Sequence, residues 1–332
     1  MSETIRWGLV GASRVAAEWV IPAIRATAGN EVVAVQGADN VRVAEYAHTH
    51  GISHSFTSVE ALLATNVDAV YISNTNEKHA PCAMAALTAG KHVLGEKPIA
   101  MSIAEAEAMV VLAKEKGLVL AINHHLRAMS THITLRELVR NRTLGDLVAV
   151  RAMFGVLLPE ANRGWRTDSV AAGAGVFFDL TVHDADLLHF ILGEEFVRVG
   201  AFTSNNRISA IGIEDGTAII AQTASGLTAQ ITESFAVEHA KTSLELHGTK
   251  GSIFADDVLL QRPGGKLELS VNGTRQELPV QHENAYPRVI AAFAAAVKGT
   301  GRPLVTGEDG LASLRFAIAA RAAAESGRIV AI

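Results

Sequence analysis

The stretch Gly8-Leu9-Val10-Gly11-Ala12-Ser13-Arg14-Val15-Ala16 decides the fold. It ends an apolar run that begins at Ile5, and it opens a segment with helical spacing. A dinucleotide-binding turn needs three things: a glycine at the tight bend, a small residue where backbone nears a pyrophosphate, and a small residue where helix packs on strand. Gly11, Ser13 and Ala16 stand at those places. Ser13 departs from the usual glycine, and its hydroxyl can donate to a phosphate. A helix N-terminus behind the turn adds N–H groups and a favourable dipole. Taken alone, the nine residues also read as an ordinary glycine turn.

The surrounding series settles the choice. Short β-branched runs at 5–10, 31–35, 69–73, 92–94 and 119–122 predict buried strands. Helical spacing at 41–49, 80–89 and 103–116 lies between them. Such alternation predicts parallel pairing, because a parallel pair needs a long crossover and a helix supplies it. Ser102 with Glu105 three residues on predicts a capping box. Gly90 predicts a helix stop. Pro22 predicts a kink, or a second helical piece, inside the first helix.

Beyond about residue 145 the pattern changes. The segments 147–157, 195–203, 216–223, 227–235 and 243–246 read as closely spaced strands, with Ala224-Ser225-Gly226 as a hairpin turn. In 227–235, Thr228, Gln230, Thr232 and Ser234 alternate with Ala229, Ile231 and Phe235, the period of a sheet with one wetter face. One helix is expected near 181–192, and two apolar helices near 286–298 and 307–325. The predicted architecture is α/β: a doubly wound parallel Rossmann domain over residues 1–123, then an α+β domain over 124–332 on a large, mostly antiparallel sheet. The closing helices are free to pack back on the first domain.

The 332 residues are 49% hydrophobic and 19% charged, enough to bury a large core. With a net charge of -5 and no basic stripe, a nucleic-acid partner finds no support. No run of about 18 or more apolar residues predicts a membrane span. The start, Met1 to Arg6, is polar and lacks a signal-peptide pattern. The lone cysteine, Cys82, reads as a buried small hydrophobe and fits a reducing compartment, so a cytoplasmic location is expected.

Two constellations carry chemistry. Gly95-Glu96-Lys97-Pro98 follows a strand, at the end where open α/β sheets bind ligands. A lysine there can donate to a substrate oxygen and stabilise alkoxide charge; an exposed lysine before proline is the plain alternative. Asp179 and His183 stand four apart, and share a face if the segment is helical. A nearby carboxylate orients an imidazole and favours its protonated form, which carbonyl reduction needs. A satisfied core histidine is the competing reading. Asp179, His183 and Asp186 also suggest a metal site, but no His/Cys cluster accompanies them, and none is expected. The second strand ends Val35-Gln36-Gly37-Ala38 with no acid for a ribose 2′-OH; Asp39 comes late and Arg42 follows. That favours a 2′-phosphate, hence NADP(H), with NAD(H) still possible.

With these residues the chain resembles the Gfo/Idh/MocA family of nicotinamide-dependent sugar and cyclitol oxidoreductases. The Gly11 turn, Gly90-Lys91-His92-Val93 leading to Glu96-Lys97-Pro98, Asp179 to Asp186, and His247-Gly248-Thr249-Lys250-Gly251 carry the likeness in order. Asn123-His124-His125-Leu126-Arg127 and Gly164-Trp165-Arg166 narrow it to the branch that reduces a sugar-derived ketone with NADPH. The resemblance implies that Gly11, Ala12, Ser13, Arg14 and Val15 cradle pyrophosphate, and that Gly37, Ala38 and Arg42 lie by the 2′-phosphate. Ser73, Asn74, Thr75, Asn76, His79, Glu96, Asn123, Trp165 and Arg166 would line the nicotinamide path. Lys97 and His183 would be the catalytic pair, with Asp179 and Tyr286 beside the substrate. Gly37 stands where this branch tends to carry a hydroxyl residue, and Asn74 where it has threonine. A cis Lys97–Pro98 peptide is also implied. The alternatives are a sugar or inositol dehydrogenase, a non-catalytic dinucleotide-sensing regulator, and an NAD-dependent glycoside hydrolase. Oligomeric state stays open, monomer or homo-oligomer through the second sheet.

Overall fold

Parallel strands fill the first unit of the computed structural model, which describes residues 4–332. The first three residues of the polar start expected at Met1 to Arg6 lie outside that range. The chain divides into two compact units: residues 1–124 with 285–311, and residues 125–284 with 312–332.

In the first unit, β1 (Ile5–Val10), β2 (Asn30–Gln36), β3 (His54–Phe56), β4 (Ala69–Ile72), β5 (His92–Gly95) and β6 (Leu120–Ile122) form one sheet. Its order is β3-β2-β1-β4-β5-β6, parallel throughout. This doubly wound order reverses between β1 and β4, where a crevice for ligands opens at the strand ends. All four residues of β4 are buried, as helices on both faces require. The expected capping box forms its first half, with Ser102 Oγ accepting from Glu105 N–H at 3.3 Å. Gly90 ends the helix His79–Thr88 in a left-handed conformation, with φ +76°. At Pro22 the chain takes the second of the two expected courses. A π-turn over Ala16–Val20 hands over to an α-helix, Ile21–Ala26, with Pro22 in its first turn. Proline lacks an N–H, so it is tolerated there, where that donor would have no helical acceptor. The helix Tyr286–Val297 belongs to this unit, its Phe293 ring 4.9 Å from the Trp7 ring.

The second unit holds β7 (Leu147–Gly155), β8 (Phe196–Ser204), β9 (Gly216–Thr223), β10 (Thr228–Ser234), β11 (Ser243–Gly248), β12 (Gly251–Asp256), β13 (Lys266–Val271), β14 (Thr274–Leu278) and β15 (Val330–Ala331). They form one sheet in the order β14-β13-β12-β11-β7-β10-β9-β8-β15. Every pairing is antiparallel except β7 with β10. Gly226 turns the β9–β10 hairpin as expected, with φ +93°. On β10, Thr228, Gln230 and Thr232 are exposed while Ala229 and Ile231 are buried. The expected alternation fails at the strand's end, where Glu233 and Ser234 are both buried.

The helix Val182–Leu192 is buried on most of its surface, including His183, Asp184 and Asp186. Charges in such a place need partners. Asp186 has one: the Arg127 guanidinium donates to both its oxygens, at 2.8 and 2.7 Å. Removing one member of a buried ion pair strands the other, at a cost of about 3–5 kcal/mol. Arg127→Ala is therefore expected to lower unfolding free energy by that order in a urea titration. Arg127→Met with Asp186→Leu should recover most of it; a loss below 1 kcal/mol in the single variant would contradict this account.

Candidate functional site

All six strands of the first sheet run the same way, so the segments leaving them gather at one edge. Gly11-Ala12-Ser13 leaves β1, Gly37-Ala38-Asp39 leaves β2, Ser73 to Asn76 leaves β4, Glu96-Lys97-Pro98 leaves β5, and Asn123 leaves β6. Gly11 adopts φ +106°, and a Cβ there would lie 2.9 Å from the Asn74 backbone nitrogen. Both conformation and space thus demand glycine. Ser13 caps the helix that follows, its Oγ accepting from Ala16 N–H at 3.1 Å and pairing with Ser73 Oγ at 2.7 Å. The Tyr46 hydroxyl donates to the Ser13 carbonyl at 2.9 Å, tying the turn to the helix Asn40–Thr49. Burial pushes the Tyr46 phenol up to about 12.

Arg14 and Val15 open the first helix, Arg14 exposed and 3.5 Å from Glu18. Beyond β2, Ala38 and Arg42 are exposed and Gly37 is half-buried. Asp39 caps the helix Asn40–Thr49, its Oδ1 accepting from the Arg42 backbone N–H at 2.8 Å. Its carboxylate is thus held at the helix N-terminus while the Arg42 side chain faces solvent.

The exits of β4, β5 and β6 form a network. Glu96 Oε1 accepts from the Tyr71 hydroxyl at 2.5 Å and from Asn123 Nδ2 at 2.6 Å. Burial, with Glu96 beside it, drives the Tyr71 phenol well above its ordinary value. His79 is buried with one ring nitrogen 2.7 Å from the Pro98 carbonyl and the other 3.1 Å from the Asn74 carbonyl. Burial pulls its imidazole down, and the two carbonyls oppose that. Asn74 Nδ2 donates to Cys82 Sγ at 3.2 Å, so this half-buried thiol, expected as a buried small hydrophobe, also has a polar contact. Thr75 bonds Glu77, and Asn76 is buried at the start of a short helical turn. Lys97 is half-buried, and its peptide to Pro98 is cis, as the resemblance implied. Tyr286 is only 1% exposed and stacks on Trp19 with ring centroids 5.6 Å apart, so its ring is a packing element of this unit.

In the second unit, Asp179 lies in a π-turn, Phe177–Thr181, that runs straight into the helix Val182–Leu192. The helical continuity expected from Asp179 to His183 is present. Arg166 sits 3.7 Å from the Asp179 carboxylate and over the Trp165 ring at 4.3 Å. His183 is buried, its ring edge-on to His125 at 5.5 Å and tilted on Phe154 at 6.5 Å. A Cβ on Gly175 (φ +103°) would lie 2.0 Å from Glu214 Oε1, and the Glu214 carboxylate accepts from the Phe177 backbone N–H at the start of the π-turn. Asp186, the third member of the metal reading, is bound by Arg127 instead.

Sequence reasoning missed Tyr46 and Tyr71, which hold Ser13 and Glu96, and gave His125 no chemical role beside His183. An aromatic residue in an apolar run carries no mark of what its hydroxyl will touch. The small residues Gly11, Ala12 and Ser13, the β1–β4 reversal and the exposed Arg42 fit a nicotinamide dinucleotide at this edge.

Comparison with known proteins agrees with the geometry. Residues 5–124 match the oxidoreductase family with an NAD-binding Rossmann fold, and residues 132–254 match the GFO/IDH/MocA C-terminal domain. The chain is 43% identical over 328 residues to a 1,5-anhydro-D-fructose reductase from Ensifer adhaerens, covering 98% of each. It is 31% identical to a dTDP-3,4-didehydro-2,6-dideoxy-alpha-D-glucose 3-reductase from Streptomyces violaceoruber, over 90% of this chain and 86% of that one. The solved structure of an aldose-aldose oxidoreductase from Caulobacter crescentus, complexed with glycerol, superposes with a TM-score of 0.90 at 25% identity, over 99% of this chain and all of that one. The fold, the strand-edge network and these full-length likenesses together make this chain a member of the GFO/IDH/MocA family of oxidoreductases.

Proposed function

We propose that this enzyme uses NADPH to reduce the C2 ketone of 1,5-anhydro-D-fructose, giving 1,5-anhydro-D-mannitol. The observation that carries the substrate is the 43% identity, over 98% of both chains, to a reductase named for that ketone. Gly11, Ala12, Ser13, Arg14 and Val15 would hold the pyrophosphate at the helix N-terminus. Arg42 would meet the 2′-phosphate. It is exposed one turn past β2, and the nearest acid, Asp39, is engaged as a helix cap. That pairing supports NADP(H) over NAD(H), since no carboxylate ends β2 to take a ribose 2′-OH. Ser73, Asn74, Thr75, Asn76, His79, Glu96, Asn123, Trp165 and Arg166 would surround the nicotinamide end. The phenols of Tyr46 and Tyr71 would keep the Ser13 turn and Glu96 in place.

Bound there, the reduced nicotinamide supplies the hydride. The chain's own residues would do the rest. Lys97 would donate to the ketone oxygen and stabilise the charge that develops on it. His183, entering as imidazolium, would pass a proton to that oxygen. Asp179, shared with Arg166, would orient the substrate next to His183.

The test is NADPH oxidation followed at 340 nm with 1,5-anhydro-D-fructose, beside NADH and simple ketoses. Turnover with NADPH and this ketone well above the other pairings is expected. No turnover there, with NAD⁺- or NADP⁺-dependent oxidation of an inositol or sugar, would replace the proposal by a dehydrogenase. Two variants bear on the parts. Gly11→Ala is expected to abolish dinucleotide binding, read as loss of the NADPH fluorescence change on titration. His183→Ala is expected to lower kcat by about 10²–10⁴ with cofactor affinity unchanged; near-normal kcat would remove His183 from the role of acid.

A further inference from the structure

The buried face of β10 carries one charged side chain. Glu233 is 1% exposed, where the strand's alternation puts apolar residues. Its Oε2 accepts from Thr217 Oγ1 on β9 at 2.7 Å and from Thr181 Oγ1, the last residue of the π-turn. Asp184, also 1% exposed, stands on the helix Val182–Leu192 next to His183, and its carboxyl is in hydrogen-bond contact with that of Glu233. Three oxygens, both of Asp184 and Oε1 of Glu233, receive no N–H or O–H from the chain. Three acceptors facing one another in a dry interior are incompatible with two ionised groups. One proton between the two carboxyls satisfies them.

We propose that Asp184 and Glu233 share one proton at neutral pH, and that this bridged pair is a positioning element that holds the π-turn with Asp179 and the helix start with His183 against the β9–β10 face. Thr181 and Thr217 both donate to Glu233, so the proton rests on Asp184 and is donated to Glu233. Other ionisable groups stand around the pair. Glu214 is the third acid facing Glu233, and it is itself faced by Arg321 and Glu325. On the neighbouring helix Ser130–Arg140, His132 bonds the Leu126 carbonyl and burial pulls it down to about 4, so it is neutral throughout. Arg127 is bound to Asp186. His183, on the same helix as Asp184, meets His125 edge to face.

Burial, before any neighbouring charge, raises both carboxyls above their ordinary values, Asp184 the more strongly. A group raised on folding contributes stability that is lost as pH climbs through its folded pKa. The bridge is therefore lost as pH climbs through the raised pKa of Asp184, the group that keeps the shared proton, because a second charge is then forced into the interior. This ties the placement of His183 to the protonation of the carboxyl pair beside it. That His183 is the acid rests on the reading above; the bridge itself does not.

Asp184→Asn tests the bridge, because an amide N–H stands permanently where the shared proton sits. The melting temperature of Asp184→Asn minus that of the unaltered enzyme is expected to become more positive by about 2–4 °C between pH 6 and pH 9. Side-chain NMR of histidine-labelled enzyme, with His183 assigned from a His183→Asn sample, is expected to show a shift of the His183 ring as the pair loses its proton at alkaline pH. That shift should vanish in Asp184→Asn. Glu233→Gln, which also places an amide donor in the pair, should behave alike and serves if the first variant folds poorly. Parallel melting curves would overturn the shared proton. A His183 ring with the same pH response in all three proteins would overturn the positioning role. Neither readout uses turnover, so failure of the anhydrofructose assay and failure of this proposal are separate results.

Discussion

A strand in a parallel sheet can be left only at its carboxyl end, and in the first unit six strands obey that constraint together. Everything proposed for the dinucleotide depends on it. Gly11 and Asn123 are far apart in the chain, yet both follow strands that end at one edge. Once gathered there, the exits are bound to one another. Ser13 meets Ser73, Tyr46 holds the Ser13 carbonyl, Tyr71 and Asn123 hold Glu96, and His79 stands between the Asn74 and Pro98 carbonyls. Hydrogen bonds largely shielded from water are costly to leave unmade, so the network limits how far any one exit segment can move.

The second unit answers to a different constraint. Its helix Val182–Leu192 is buried almost throughout while carrying three ionisable side chains in five residues. Each needs a solution of its own. Asp186 is neutralised by a guanidinium, Asp184 faces another carboxyl, and His183 is left among aromatic and imidazole rings. The same stretch that would carry the acid is thus located by two polar contacts besides apolar packing. Glu214 adds a third at the start of the π-turn. A helix that slipped out of register would strand these buried charges from their partners, a cost that apolar contacts do not carry.

How much of this could be read beforehand varies with the kind of signal. The alternation of β-branched runs with helical spacing marked β1, β2, β4, β5 and β6. It missed β3, since His54-Ser55-Phe56 is three residues long with little apolar character. Of the strands β11 to β14 only β11 stood out; Leu267 and Leu269 alternating with Glu268 were a usable sign for β13. The helix Ser130–Arg140 was missed because apolar positions are sparse in it. Among the candidate residues, Gly11 and Lys97 in the first unit and Asp179 and His183 in the second were singled out from residue type and spacing, because turns, strand ends and helical repeats are local properties. Tyr46, Tyr71 and Glu233 were not, because their significance lies in partners 33, 25 and 52 residues away.

Sequence alone determined what depends on neighbours along the chain: the parallel sheet, the glycine at the first turn, the family and the chemical types at the strand ends. Periodicity and turn chemistry are set within a few residues, so they survive without knowledge of the fold. Tertiary structure alone decided which polar groups face one another in the interior. The alternation along β10 called for an apolar residue at Glu233, and only the packing of the Asp184 helix and Thr217 against that strand makes a carboxyl there stable. Burial removes water as the universal partner, and the partner that replaces it is chosen by position in space, not by distance along the chain.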